Sequence, residues 1–324
     1  MQSLFKKKDV KNILLLTFIF LITVSARSQP GLTSNNIYDT ALSNTYTKTE
    51  DTLSLQVEHF DDTADAGIYA LVAGGSKGIG YAIAEALAKR KYNLILIARH
   101  QDSLTAAKNK LESQYQVHVE TLMLDLAKET TADSIANWCI KRNIRLKVLC
   151  NVAGYGGARD YLSLPLDTLR YMVRLNVESC MALSLTLLPL LEKNAPSYIL
   201  NVASMAGFAP IPIKNMYSAT KSAVIFFSYA LRNQLKHKNI SVSCLSPGPV
   251  FTKPEIEKDT KKKLGWFGMK MAVSPKRVGE IAVRKTLRKK MMIVPGTLSK
   301  ITSIFIRLLP RKWIVGLYGK VGDS

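Results

Sequence analysis

The stretch that most limits what this chain can fold into runs from Ile68 to Gly80. Ile68-Tyr69-Ala70-Leu71-Val72 is a short continuous apolar run and reads as a buried strand. Ala73-Gly74-Gly75-Ser76-Lys77-Gly78-Ile79-Gly80 follows at once, and apolar residues then recur at helical spacing through Ala82, Ile83, Ala86 and Leu87. Strand, glycine turn and helix in that order are the context a dinucleotide-binding loop requires. The glycines let the backbone approach a pyrophosphate, and the helix start contributes partial positive charge.

The alternation continues. Asn93–Ala98 reads as strand, Asp102–Tyr115 as helix, Val117–Leu124 as strand and Glu129–Arg142 as helix. Lys147–Cys150 is a short strand leading into Asn151-Val152-Ala153-Gly154-Tyr155-Gly156-Gly157. Pro165–Leu191 reads as one long helical stretch, Ser197–Ala203 as strand, Asn215–Lys236 as helix and Ile240–Leu245 as strand. The pattern predicts an α/β fold: a Rossmann-type, doubly wound parallel β-sheet with helices on both faces, in one domain. Ligands of such sheets bind at the carboxyl ends of the strands. Gly74, Arg99, Asp125, Asn151, Ser204 and Pro247 all fall there, so the fold should line them along one rim.

Two sites on that rim carry chemistry. Arg99 ends the second strand, 19 residues after Gly80, with no acid beside it. An acidic residue there would bind a ribose 2′-hydroxyl, whereas an arginine accommodates a 2′-phosphate, and Lys77 can add a second cation. This favours NADP(H) over NAD(H). Tyr217 and Lys221 stand four residues apart before an apolar run, so they share one helix face. A neighbouring ammonium is expected to lower the pKa of the phenol, making Tyr217 a proton donor and acceptor.

Several of these motifs together resemble a classical short-chain dehydrogenase/reductase, from Gly67 to about Gly296. The glycine loop is similar to the TGxxxGIG loop of that family, with Ala73 in place of Thr. Asn151-Val152-Ala153-Gly154 is similar to its NNAG motif, with Val152 in place of the second Asn. The first change removes a hydroxyl and implies a looser contact with a later strand. The resemblance implies a catalytic tetrad of Asn176, Ser204, Tyr217 and Lys221. It implies cofactor contacts at Gly74, Ser76, Lys77, Gly78, Ile79, Gly80, Arg99, Asp125, Asn151, Ala153, Gly154, Pro247, Gly248, Val250 and Thr252, as well as Tyr217 and Lys221. In those roles Tyr217 exchanges the proton, and Ser204 polarises the carbonyl oxygen. Lys221 binds ribose hydroxyls and depresses the Tyr217 pKa, and Asn176 holds a water that links Lys221 to solvent.

The Ser218-Ala219-Thr220 insert, the run from Ser246 to Val250, and Ile293-Val294-Pro295-Gly296 are similar to the branch with 11β- and 17β-hydroxysteroid dehydrogenases and very-long-chain 3-oxoacyl-CoA reductases. That implies an NADPH-dependent enzyme interconverting a ketone and a secondary alcohol on a lipophilic small molecule, 3-oxoacyl or steroid-like. The family is often oligomeric, so a homo-oligomer is expected. The competing reading, a non-catalytic NADP-binding scaffold or sensor at a membrane, has no need of Tyr217 and Lys221 together.

Charge and the chain ends add location. Of 324 residues, 45 are Lys or Arg and 24 are Asp or Glu, a net charge of +21. The excess lies C-terminally, which suggests anionic lipid or an anionic substrate. No zinc-finger spacing or RNA-binding signature points to nucleic acid. No His or Cys spacing suits a metal, so none is expected. Cys139, Cys150, Cys180 and Cys244 form no CxxC pair and read as buried thiols of a reducing compartment.

Residues 1–27 hold Lys6, Lys7, Lys8 and Lys11 before an apolar run, Ile13 to Val24, too short to span a bilayer. Val24-Ser25-Ala26 looks like a signal cleavage site, so export is one reading. An interfacial anchor with the catalytic domain facing the cytoplasm is the other, and NADPH chemistry favours it. Residues 28–66 read as a polar, disordered linker on composition. Residues 67–297 make the catalytic domain. Within it Lys253 to Ser274 reads as a lid over the substrate, carrying Trp266, Phe267, Met269 and Met271 with Lys258, Lys261, Lys262 and Lys263. Residues 298–324 form a basic amphipathic tail, with Ile301, Ile304, Phe305 and Leu308 at helical spacing. It is suited either to a membrane interface or to packing against protein.

Overall fold

A computed structural model describes residues 67–156, 162–251 and 272–322. Segments 1–27 and 28–66, Thr252, and residues 253–271, which are most of the expected lid, lie outside the described residues.

The strands are β1 (Ile68–Ala73), β2 (Asn93–Ala98), β3 (Val119–Met123), β4 (Arg145–Asn151), β5 (Ser197–Val202), β6 (Ile240–Leu245) and a two-residue β7 (Met292–Ile293). They form one sheet in the order β3-β2-β1-β4-β5-β6-β7. Every pairing in it is parallel. The order reverses between β1 and β4, which is where such sheets open a crevice for ligands. The helices are α1 (Gly78–Ala88), α2 (Gln101–Tyr115), α3 (Thr131–Lys141), α4 (Leu166–Val173), α5 (Ser179–Thr186), α6 (Leu188–Lys193), α7 (Asn215–Gln234), α8 (Pro275–Leu287), α9 (Thr297–Leu308) and α10 (Arg311–Gly322).

The central strands β1 and β2 read as nearly unbroken apolar runs because both faces are covered. Leu71, Ile95 and Ile97 face one core with Ile135 and Trp138 of α3, Leu183 of α5 and Leu231 of α7. Their neighbours Ala70, Val72, Leu94 and Leu96 face the other, against Ile83 and Leu87 of α1, Leu104 and Leu111 of α2, and Val278 and Ala282 of α8. Each buried leucine or isoleucine contributes about 1.5–3 kcal/mol. All four cysteines are free and buried.

Three departures from the sequence reading have physical causes. The expected helix Pro165–Leu191 is broken into α4, a π-turn (Arg174–Glu178), α5 and α6. Its periodicity continues through the π-turn, so the apolar spacing alone does not show the break. Helix α8 was hidden by its charges, although Ser274 caps it and Pro275 starts it. It packs closely on α1: a Cβ on Gly279 would stand 2.3 Å from the Ala82 carbonyl oxygen. An Arg90–Glu280 ion pair closes the same contact. Strand β7 is too short to show a period. Among the described residues, no helix is long and apolar enough to cross a membrane.

Candidate active site

The glycine turn joins β1 to α1. Gly74 has φ +90°, a left-handed conformation that suits glycine, and its N–H donates to the Ile97 carbonyl at 2.7 Å. A Cβ on Gly80 would stand 1.9 Å from the Gly74 carbonyl oxygen, so the helix start rests directly on the turn. Lys77 is the N-cap of α1, is exposed, and makes no side-chain cap. The first N–H groups of α1 therefore have no side-chain partner from the cap, and they are donors suited to a phosphate. Ser76, Gly78 and Ile79 are half-buried beside them.

The loop after β4 hangs on the same turn. Val152 and Ala153 N–H both donate to the Ala73 carbonyl, at 2.9 and 2.8 Å. The contact between turn and later strand is thus made by backbone, and it survives the absence of a threonine at 73. A Cβ on Gly74 would meet the Ala153 nitrogen at 2.7 Å. This floor of bare backbone at a helix start fits a dinucleotide pyrophosphate.

The Asn151 side chain is turned into the core. It is buried, and its Nδ2 donates to Asn201 Oδ1 at 2.9 Å and to Ser184 Oγ at 3.0 Å. Asn201 in turn donates to Ser228 Oγ at 3.0 Å. The amide braces β4, β5, α5 and α7 from inside.

At the β2 end, Arg99 is exposed and Asp125 follows β3. The sequence reading missed the residue that joins them, Tyr171 of α4. Arg99 Nη1 donates to the Tyr171 hydroxyl at 2.7 Å, and its guanidinium lies 5.7 Å from the ring centroid. The Tyr171 hydroxyl donates to Asp125 Oδ1 at 3.4 Å. Asp125 Oδ1 also accepts from Ala127 N–H at 3.0 Å.

The tetrad residues meet at the ends of β5 and α7. Ser204 caps a short 3-10 turn (Met205–Phe208), accepting from Ala206 N–H at 3.1 Å, and its hydroxyl lies near enough to Tyr217 to bear on the titration of the phenol. Lys221 is 4% exposed; its Nζ donates to the Val202 carbonyl at 2.9 Å and lies 5.9 Å from the Tyr217 ring centroid. Asn176 sits in the π-turn, a distortion frequent at functional sites. Its Oδ1 accepts from Tyr155 N–H at 2.7 Å, and its Nδ2 donates to the Tyr155 carbonyl and to Thr220 Oγ1 at 2.9 and 3.1 Å. A Cβ on Gly154 would stand 3.1 Å from Lys221 Nζ and 3.3 Å from Asn176 Oδ1, so glycine leaves those two groups facing a shared space.

Electrostatics depart from the sequence expectation. Burial pushes the Tyr217 phenol above its ordinary value of 10, and the Ser204 hydrogen bond opposes that rise. Lys221 does not lower it in this form, because its ammonium is turned to a backbone carbonyl. Burial instead pushes Lys221 down from 10.5 to about 8. Its neighbours Cys180 and Cys244 are held as neutral thiols, pushed up to about 12 and about 11, so they bring no counter-charge at neutral pH.

Pro247 accepts from Met205 N–H at 3.0 Å, tying the β6 end to the serine turn. A Cβ on Gly248 would meet Ser299 Oγ of α9 at 2.8 Å, and Val250 is buried. A separate groove of about 680 Å3 is lined by Phe208, Ile211, Ala219, Phe226 and Val315. At about 100° per residue, Ala219 and Phe226 point away from Tyr217 and Lys221 on α7. The groove therefore does not open onto the tetrad.

Residues 69–263 match a family model described as short chain dehydrogenase. The chain is 35% identical over 202 residues to very-long-chain 3-oxoacyl-CoA reductase of Mus musculus, covering 61% of this chain and 64% of that protein. It is 32% identical to the Homo sapiens protein of the same name, with the same coverage of 61% and 64%. The match thus spans less than two thirds of the length of these relatives. Among solved structures, a 7beta-hydroxysteroid dehydrogenase superposes with TM-score 0.70 at 17% identity, over 78% of this chain and 97% of that one. L-sorbose reductase from Gluconobacter frateurii, complexed with NADPH and L-sorbose, gives TM-score 0.64 at 22% identity, over 73% and 97%. At these identities the structural likeness establishes the fold alone.

Proposed function

The chain belongs to the short-chain dehydrogenase family, and on that premise we propose that it interconverts a ketone and a secondary alcohol on a lipophilic substrate, using NADP(H). The observation that carries the reading is the cluster of Tyr217 with Lys221 Nζ 5.9 Å from its ring, and of Lys221 and Asn176 facing one space beside Gly154. A bound nicotinamide supplies or accepts the hydride. In the reduction direction the substrate oxygen gains negative charge, and Tyr217 releases its phenolic proton to it. Ser204, held by its turn, stays aimed at that oxygen and steadies the developing charge. A phenol kept protonated by burial is a competent donor, and it needs help only to be reloaded. Lys221 provides that help when its ammonium leaves the Val202 carbonyl for the shared space. Asn176, clamped on both sides of Tyr155, keeps the wall of that space in place.

The proton step is tested by Tyr217→Phe. NADPH binding, measured by fluorescence titration, should stay within about twofold, while carbonyl reduction falls by a factor of 100 or more, the usual scale of general acid catalysis. Turnover close to that of the unmodified chain would overturn the assignment.

The NADP(H) preference rests on Arg99, exposed at the β2 end with Lys77 exposed in the glycine turn. Arg99→Asp should move the ratio of kcat/KM from NADPH toward NADH; an unchanged ratio would make Arg99 a bystander. For the substrate, 3-oxoacyl thioesters stand ahead of steroid-like ketones, since the relatives named above are 3-oxoacyl-CoA reductases. Exposed Phe226 and Tyr229 on α7 support a homo-oligomer. The buried free thiols and the reduced cofactor support a catalytic unit in the cytoplasm, held at a membrane surface that the basic tail favours.

A further inference from the structure

Helix α9 turns its broader apolar stripe outward. The residues it buries are Ser299, Ser303 and Ile306. Four of its large apolar residues, Ile301, Ile304, Phe305 and Leu308, are 46%, 43%, 61% and 77% exposed, while Ile306 and Leu298 pack into the core. Both sets have helical spacing and are offset by about half a turn. The orientation is fixed by specific contacts. The Arg307 guanidinium lies 5.3 Å from the Phe208 ring centroid, and its Nε donates to the Ser303 carbonyl at 3.0 Å. Arg311 donates to the Phe208 carbonyl. Ser299 packs against Gly248. The stripe continues past Leu308 to Leu309 and Trp313, which are also exposed.

Three occupants could cover such a stripe: a second copy, the chain's own apolar segment Ile13–Val24, or a bilayer. Charge separates them. Between Glu280 and Asp323 the chain carries ten Lys and Arg residues and neither Asp nor Glu. A second copy would bring the same positive field to the contact. The segment Ile13–Val24 would bring Lys6, Lys7, Lys8 and Lys11 with it. An anionic bilayer offers both an apolar interior and the opposite charge, and exposed Lys300 and Lys312 stand at the border of the stripe.

We propose that the outward face of α9, continued by Trp313, is a docking surface that lies in the interface of anionic lipid membranes. The inference rests on the membrane-surface reading above and adds which face enters and which lipid charge it selects. It gives the 3-oxoacyl reading a physical companion, since a lipophilic product or substrate partitions into the same layer.

The test uses the full chain. Its native cysteines are all buried, so a thiol-reactive, environment-sensitive fluorophore will label Leu308→Cys selectively. With vesicles of phosphatidylserine and phosphatidylcholine, the label at 308 should brighten several-fold and be quenched by brominated acyl chains. The same label on Asn109→Cys, exposed on α2, should do neither. Pure phosphatidylcholine, or salt near 1 M, where the screening length is about 3 Å, should remove most of the signal. If the unlabelled chain does not float with anionic vesicles at all, the membrane-surface reading itself fails. If it floats while the 308 label stays unquenched, the docking face is wrong and another part of the chain is the anchor. A label shielded without lipid and untouched by brominated chains also overturns it, in favour of a second copy or the segment Ile13–Val24. Equal signal on neutral vesicles overturns the lipid selection.

Discussion

Lys221 carries a stability cost that a single substitution should remove. Its ammonium is 4% exposed, and burial moves its pKa from 10.5 to about 8. At about 1.36 kcal/mol per unit, holding the cation inside costs the folded state about 3 kcal/mol at neutral pH. Lys221→Met keeps the length and the apolar stem and deletes the charge. It also strands the Val202 carbonyl, which accepts from Nζ at 2.9 Å, at a loss of about 1–2 kcal/mol. The net expectation is a variant more stable by about 1–2 kcal/mol at pH 7. For a unit of this size that is a rise of about 2–8 °C in Tm.

The pH dependence is the sharper arm. The folded pKa lies below the unfolded one, so between pH 8 and 10.5 the unfolded chain binds more protons, and unmodified protein gains stability as pH rises through that window. Below pH 8 both states are charged and the full cost is present. By pH 9.5 about 2 kcal/mol of it should be recovered in unmodified protein, and none of that gain should appear in Lys221→Met. Buried tyrosines and cysteines titrate in both proteins and cancel in the difference. Calorimetric scans of both at pH 7 and pH 9.5 decide the matter. A variant less stable at pH 7, or a difference that does not move with pH, would refute the claim that desolvation dominates at this lysine.

Two further expectations concern Tyr171 and Gly279. Tyr171→Phe keeps the ring beside Arg99 but removes the hydroxyl that joins it to Asp125. Affinity for 2′,5′-ADP by titration calorimetry should fall about five- to tenfold, on the scale of one charged hydrogen bond, while 5′-ADP binding stays unchanged; equal losses for both would mean that Tyr171 only shapes the pocket. Gly279→Val drives a side chain into the Ala82 backbone, where even a Cβ would stand 2.3 Å from the carbonyl oxygen. It should cost about 3 kcal/mol or more by forcing α8 off α1, and a urea midpoint equal to that of the unmodified chain would show that the two helices slide freely.

Which parts were legible in the sequence follows from the range of each interaction. Strands such as β1 and β2 were readable because burial on both faces leaves an apolar run, and β2 and β6 have the same limits by either route. The glycine turn was readable because its geometry is local: Gly80 must lack a Cβ to sit on Gly74, six residues away. Contacts across the fold were not. Tyr171 reaches Arg99 over 72 residues of chain, and no spacing rule connects them. The Tyr217 pKa shows the same limit. Lys221 is visible four residues away, whereas the burial that sets the direction of the shift is supplied by distant elements of the fold.

Helix α9 shows where pattern reading stops in principle. An apolar stripe fixes the axis along which a helix is two-sided, and the sequence places Ile301, Ile304, Phe305 and Leu308 on it correctly. It does not say which side the domain takes. That choice is made by Gly248, which leaves room for Ser299, and by Phe208, whose ring and carbonyl receive Arg307 and Arg311. Close polar contacts, with Ile306 seated in the core beside them, decide the inner side. The outer stripe keeps its apolar area for a solvent other than water, and burying it there forgoes no contact that holds the tetrad in place.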